Sequence, residues 1–118
     1  VARVKALIRR AEVRPDASAE TLRSGDLQID IAGRQAFRGD SPIQMKPKEL
    51  DLLAFFLRNP GRAFTRDQLL SQIWGYDYAG DTRTVDVHIR WLREKVEANP
   101  SRPVRIQTVH GVGYRFQA

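Results

Sequence analysis

The chain has 118 residues, of which 42% are hydrophobic, which suffices for one compact domain but not for two. Lysine and arginine number 20 against 14 acidic residues, and the net charge of +6 indicates a polyanion as partner. With no cysteine and only two histidines, far apart in sequence, the chain lacks the material for a disulfide framework or a thiolate zinc site. We therefore expect no metal or other cofactor, and a cytoplasmic protein.

The first 20 residues differ in character from the rest. Residues 1–11 place apolar side chains at helical spacing with basic side chains opposite, and residues 12–20 read as a linker. We interpret residues 1–11 as the end of a preceding domain's last helix, although a membrane-surface helix has the same pattern. The sequence thus predicts one domain over residues 21–118.

A period-two pattern follows from Leu22 to Met45. Leu27 and Ile29 alternate with Gln28 and Asp30, and glycine-containing breaks recur at hairpin intervals. This pattern predicts an antiparallel sheet of about four short strands. Its aspartates fall in turns or on the polar alternate face, with no histidine in the segment, so we expect the sheet to be a platform and not a catalytic element.

Two helices are predicted next. Pro47 suits the first position of a helix, because its missing N–H would be unpaired there anyway, and this helix ends at 59–61. Thr65 and Gln68 have the spacing of a capping box for the second helix, which Gly75 ends. The apolar face of the first helix contains Leu50, Leu53, Ala54 and Leu57, widened by Leu52, Phe55 and Phe56. The second presents Leu69, Leu70, Ile73 and Trp74 inward.

The stretch from Asp81 to Asn99 predicts a third, amphipathic helix. Asp81 or Thr82 can cap its start, and Asn99-Pro100 is expected to stop it. One stripe of the helical wheel consists of Val85, Ile89, Leu92 and Val96. The opposite stripe consists of Arg83, Val87, Arg90 and Glu94. Basic groups begin in the first turn, where the helix dipole favours acids, which indicates that they serve a partner.

A loop and a hairpin flank this helix. The loop from Gly75 to Gly80 carries Tyr76 and Tyr78, which either pack back on the core or contact another protein. Residues 104–109 and 114–117 read as two strands joined by a tip at 110–113, whose glycines permit positive φ. Because no helix follows, the Gly-x-Gly of the tip is no nucleotide motif.

Sheet, three helices and hairpin together predict an α+β fold. We expect a winged helix-turn-helix with an N-terminal four-stranded antiparallel sheet, three helices and a C-terminal β-hairpin wing. Double-stranded DNA is the expected partner, with the third helix in the major groove and the wing at the minor groove. A winged-helix module for protein–protein contact is the alternative, and double-stranded RNA is disfavoured by its narrow major groove. We expect no enzymatic activity, since no nucleophile–base pair has usable spacing.

Three ordered motifs resemble a known family: TRDQLLSQIWG at 65–75, RTVDVHIRWLREKVE at 83–97 and QTVHGVGYRF at 107–116. They are similar to the effector domain of OmpR/PhoB-type two-component response regulators, and the resemblance covers the chain from about Leu22 onward. It implies a DNA-binding output domain that controls transcription and is switched by phosphorylation of an aspartate in a receiver domain. Residues 1–11 would then be the tail of the receiver's last helix.

The resemblance also implies roles for single residues. Matching positions for base reading are Arg83, Val87, Arg90 and Trp91; the last stands where relatives often have arginine, so it either packs beside the groove or changes the base preference. Positions that hold the DNA backbone match Trp74, Thr84, His88, Arg93, Thr108 and Tyr114. His110 occupies the wing tip, where an arginine commonly enters the minor groove.

Partners are implied in the same way. The loop from Gly75 to Asp81 would meet RNA polymerase holoenzyme, with Tyr76, Tyr78 and Asp81 as candidates. Relatives bind tandem half-sites as head-to-tail dimers, and we expect this chain to be a monomer when isolated.

Overall fold

The described part of the chain comprises residues 21–78 and 80–117 of a computed structural model. The predicted helical tail at 1–11 and linker at 12–20 lie outside it. In chain order the elements are β1 (Thr21–Ser24), β2 (Leu27–Asp30), β3 (Gln35–Arg38), β4 (Ser41–Ile43), α1 (Pro47–Arg58), β5 (Ala63–Thr65), α2 (Arg66–Ile73), α3 (Arg83–Val96), β6 (Ile106–Val109) and β7 (Gly113–Phe116).

The N-terminal strands form the predicted sheet. It is antiparallel with the order β1-β2-β3-β4, and Ile29 of β2 lies opposite Ala36 of β3. Leu27, Ile29 and Ala36 are buried, as period-two alternation requires of a sheet with one face on the core. The sheet packs against α1 through β1.

The first two helices begin where the sequence places them. Pro47 is the first residue of α1. At α2 the Thr65 hydroxyl accepts from the backbone N–H of Gln68 at 3.0 Å, and the Gln68 amide oxygen accepts from the backbone N–H of Thr65 at 2.8 Å. This reciprocal pair satisfies two N–H groups that a helix start would otherwise leave free. The helix ends at Ile73, with Gly75 just beyond.

A second sheet contains a strand that the sequence analysis did not predict. Its order is β5-β7-β6, with Phe64 of β5 opposite Tyr114 of β7. At the tip, Gly111 adopts the positive φ that the sequence permits, 80°, whereas Gly113 does not. A Cβ on Gly113 would lie 2.1 Å from the Phe64 carbonyl oxygen, so glycine is needed there for the close approach of β5.

Helix α3 lies on the core along its predicted apolar stripe. Val85, Ile89, Leu92 and Val96 are all buried. At its start Thr82 takes the capping position, but its side chain makes no capping hydrogen bond. The Asp81 carboxylate instead accepts from the backbone N–H of Arg83 at 3.0 Å. The helix ends at Val96, so the predicted stop at Asn99-Pro100 was too late.

Glu97 explains this early end. Its side chain is only 3% exposed. The carboxylate accepts from the backbone N–H groups of Val104, Arg105 and Ile106 at 3.0, 2.9 and 2.8 Å. These bonds draw the residue into an extended conformation and join the end of α3 to the start of the wing.

Replacing Glu97 with alanine would leave three partly or fully buried N–H groups without their acceptor. We expect Glu97→Ala to lower the free energy of unfolding by about 2–4 kcal/mol, measured by urea denaturation. Glu94→Ala is the control, because Glu94 is exposed and pairs with Arg90 only at 4.0 Å; its change should stay within about 0.5 kcal/mol. Equal effects of the two substitutions would contradict the anchoring role of Glu97.

Candidate nucleic-acid interface

The exposed stripe of α3 presents two nearly unburied arginines. The side chains of Arg83 and Arg90 are 86% and 81% exposed. Arg83 Nε lies 3.2 Å from Asp81 Oδ2, and Arg90 Nε lies 4.0 Å from Glu94 Oε2. Such exposed ion pairs contribute about 0–1 kcal/mol, so both guanidinium groups can exchange these partners for an external anion. Val87 lies between them on the same face and is also exposed.

The two tyrosines of the loop before α3 differ in exposure. Tyr76 is 95% exposed, whereas Tyr78 is 39% exposed and has its ring centroid 6.2 Å from that of Trp74. Tyr78 therefore packs on its neighbour and Tyr76 does not. At the end of the loop, the hydrogen bond from the Arg83 backbone lowers the pKa of Asp81, which keeps its carboxylate charged at the start of α3.

One flank of α3 carries an aromatic row formed by Tyr78, Trp74, His88 and Trp91. The His88 ring lies 4.8 Å from Trp74 and 4.9 Å from Trp91, centroid to centroid, in edge-on arrangements. Its Nδ1 donates to the Thr84 carbonyl oxygen at 2.8 Å, because a carbonyl can only accept, and this leaves Nε2 for another partner. The row thus brings together four residues that the sequence analysis named separately, with Thr84 beside them.

Lys46 is a further member of this flank, and its place there was not predicted from the sequence. Lys46, immediately before α1, places its Nζ 3.6 Å from the centroid of the Trp91 ring. This is the geometry of a cation–π contact. A lysine 45 positions earlier in the chain gives no local sequence signal of this proximity, which arises from the packing of α1 against α3.

The other flank of α3 is joined to the wing. Arg93 Nε donates to the Ile106 carbonyl oxygen at 3.0 Å, and Nη2 donates to the Thr108 hydroxyl at 2.9 Å. Burial lowers the pKa of Arg93. Because the Thr108 hydroxyl accepts here, its own proton remains available to a ligand, and Thr108 is exposed.

Asp86 forms a second junction on this flank. One of its carboxylate oxygens accepts from the Tyr114 hydroxyl at 2.6 Å and from Arg66 Nε at 2.7 Å. Burial raises the pKa of Tyr114, and the hydrogen bond to Asp86 raises it further; the hydrogen bond to the same carboxylate raises the pKa of Arg66. The Tyr114 hydroxyl therefore keeps its proton and donates it in a hydrogen bond to Asp86, not to an external ligand.

His110 lies at the tip of the wing and is exposed. The wing itself is joined to the flank of α3 opposite the aromatic row. Among residues 21–78 and 80–117, no cluster of three acidic or histidine side chains is placed to bind a metal ion. Nor does any helix in these ranges have the length and apolar character needed to cross a bilayer.

The chain matches a family model described as "Transcriptional regulatory protein, C terminal" over residues 40–116. It is 48% identical over 116 residues to the alkaline phosphatase synthesis transcriptional regulatory protein SphR of Synechococcus elongatus, a match that covers 98% of this chain and 45% of SphR. The chain therefore spans about half the length of the curated relatives that it matches.

Solved structures agree with this match. The RstA DNA-binding domain of Klebsiella pneumoniae in complex with the RstA box is 36% identical with a TM-score of 0.75, and the match covers 83% of this chain and 97% of that one. DrrB of Thermotoga maritima, an OmpR/PhoB homologue, is 30% identical with a TM-score of 0.78, covering 92% of this chain and 56% of that one. These similarities confirm the predicted winged helix-turn-helix fold.

The Asp86 junction generates a pH prediction. Tyr114 has a raised pKa in the folded state, so its contribution to stability is full below its unfolded value of about 10 and is lost as the pH rises above that value. We expect the free energy of unfolding to fall above pH 10, and to fall less steeply in Tyr114→Phe. Tyr76→Phe is the control, because it removes a tyrosine hydroxyl from an exposed side chain. Identical alkaline slopes in the wild type and Tyr114→Phe would contradict the junction.

Proposed function

Because this chain belongs to the family of transcriptional regulatory C-terminal domains, we propose that it binds duplex DNA with α3 in the major groove and the β6–β7 wing at the adjacent minor groove. One observation carries the proposal: the stripe of α3 that bears Arg83, Val87 and Arg90 is exposed, while both flanks of the helix are bound to other elements. A helix about 10–12 Å in diameter fits a major groove about 12 Å wide. The chain is a regulatory domain and not an enzyme.

Base reading is assigned to the exposed stripe. Arg83 and Arg90 can each donate two hydrogen bonds to the O6 and N7 atoms of a guanine, and the Val87 methyl groups suit contact with a thymine methyl. Their loose ion pairs with Asp81 and Glu94 support this assignment, because little is lost when DNA replaces those carboxylates.

Contacts with the DNA backbone are assigned to residues on the two flanks of α3. Trp74 can donate its indole N–H to a phosphate, and His88 can do so through Nε2 when protonated; Thr84 lies beside them. On the wing flank, Arg93 and Thr108 are the proposed contacts. A phosphate contact of Tyr114 would require its hydroxyl to leave Asp86, so we assign Tyr114 a supporting role as the ring against which Arg93 packs at 5.5 Å.

Further partners follow from the family. We propose that two copies bind tandem half-sites head to tail, that the isolated chain is a monomer, and that the protein acts in the cytoplasm. His110 at the wing tip is proposed to meet the minor groove. Two further proposals concern proteins as long as these relatives. In them, a phosphorylated receiver domain regulates this domain, and the loop contacts RNA polymerase holoenzyme.

The base-reading assignment predicts the effect of removing an arginine. Arg90→Ala and Arg83→Ala should each weaken binding to the specific duplex by roughly 1–3 kcal/mol and weaken binding to a scrambled duplex less, because only the specific site offers the guanine edge. Fluorescence anisotropy titrations of both duplexes give the two values. Arg23→Ala is the matched control, since it removes one exposed cation from β1. Full binding by both variants would contradict the assignment, and a wild type that binds no duplex would favour the protein-contact alternative.

The loop is predicted to act on transcription and not on DNA. Tyr76→Ala should leave DNA affinity within about twofold, because the side chain contacts nothing that holds α3, and should lower transcription by purified RNA polymerase holoenzyme from a promoter with the bound site. Tyr78→Ala is the comparison variant, since losing its contact with Trp74 should weaken DNA binding as well. Parallel loss of both activities in Tyr76→Ala would show that the loop itself touches DNA.

A further inference from the structure

Lys46 occupies a position that does not suit a lysine. It is the residue that caps the start of α1, where serine, threonine, aspartate or asparagine would accept a hydrogen bond from the first turn. An ammonium group cannot accept, and the positive end of the helix dipole repels it. The lysine side chain therefore gives α1 no stability, and a residue that breaks a local rule in this way marks a candidate functional position.

The Lys46 ammonium group is also not paired with an acidic side chain in the described part of the chain. The nearest buried carboxylate, Glu49, accepts from the Lys46 backbone N–H at 2.7 Å and from Lys95 Nζ, so it is paired with a different ammonium group. In the part of the chain that the structure describes, no carboxylate oxygen lies within 4.0 Å of Lys46 Nζ. Its described contact is the face of the Trp91 ring.

The contact with Trp91 places the Lys46 ammonium group at the edge of the base-reading stripe. It follows Val87 by four residues, so the two lie on neighbouring turns of the same side of α3. On its other side Trp91 contacts His88, the centre of the aromatic row. Lys46 thus borders the exposed stripe on the flank opposite the wing, in line with the proposed phosphate contacts of Trp74 and His88.

We propose that Lys46 and Trp91 form a phosphodiester-binding ledge, which contacts the DNA strand on the side of α3 away from the wing. The proposal rests on the proposed function. The Lys46 ammonium binds a backbone phosphate, and the Trp91 ring holds the lysine stem and head in place. Trp91 then lies beside the groove, and the cation on this flank of α3 is supplied from the start of α1.

A phosphate is favoured over a base as the ligand. Lysine is a compact point charge that suits a phosphate, whereas base recognition relies mainly on planar, bidentate groups. Lys46 belongs to a different element from α3 and lies at its flank, where the backbone of a duplex runs when the helix occupies the groove. The ledge should therefore contribute affinity for any sequence and no discrimination between sequences.

The test is the salt dependence of binding by Lys46→Met. Losing one phosphate contact lowers the slope of log K against log salt by about 0.9, so the ratio of variant to wild-type Kd should shrink about 3.5-fold between 50 and 200 mM salt. The loss should be equal on specific and scrambled duplexes. Lys46→Arg should restore the wild-type slope, and Arg23→Met is the control that removes an exposed cation from β1. Unfolding curves check that the variants fold.

A double-mutant cycle tests the role of the ring. If Trp91 positions Lys46, Trp91→Leu and Lys46→Met together should weaken binding to the scrambled duplex by less than the product of the single effects. A multiplicative result would overturn the positioning role of Trp91. A wild-type slope in Lys46→Met, with the wild type binding DNA normally, would overturn the ledge and leave the proposed function intact. A wild type that binds no duplex would instead refute the proposed function.

Discussion

Burial of one stripe of α3 is the constraint on which the rest of the structure depends. Val85, Ile89, Leu92 and Val96 are each at most 1% exposed. Burial of such side chains contributes roughly 1.5–3 kcal/mol each, far more than the exposed ion pairs on the opposite stripe. The helix therefore cannot rotate about its axis without exposing these side chains, and the arginine-bearing stripe is fixed outward. Recognition by α3 is a consequence of core packing.

Polar contacts on the two flanks also hold α3 in place. On one side Glu49 and Lys95 join α1 to α3 by a largely buried ion pair, and on the other Arg93 and Asp86 join α3 to the wing. Charged groups in these settings stabilise only when paired, so each contact selects one placement of its element. The same contacts use up the charges near the core. Arg83, Arg90 and Lys46 lie outside these contacts and are available to a polyanion.

The sequence predicted the elements with a strong local pattern, and it missed what depends on distant contacts. The α3 stripe, the Thr65 capping box and the N-terminal sheet follow from spacing alone. Strand β5 has only 3 residues and is defined by its pairing with β7, about 50 residues later. Glu97 falls in the last turn of the longer helix that the sequence predicts, and nothing in that pattern indicates that its side chain is buried. Lys46 reaches Trp91 only through the packing of α1 on α3, which no pattern within either segment shows.

We propose that the exposed stripe of α3 reads bases while its flanks hold phosphates. Selection of bound sequences from a random DNA pool tests this division most directly, when it is carried out in parallel with the wild type, Arg90→Ala and Lys46→Met. We expect the wild type to enrich one motif, Arg90→Ala to relax it at one or two positions, and Lys46→Met to recover the wild-type motif at lower yield. An unchanged motif in Arg90→Ala, or an altered motif in Lys46→Met, would contradict this division.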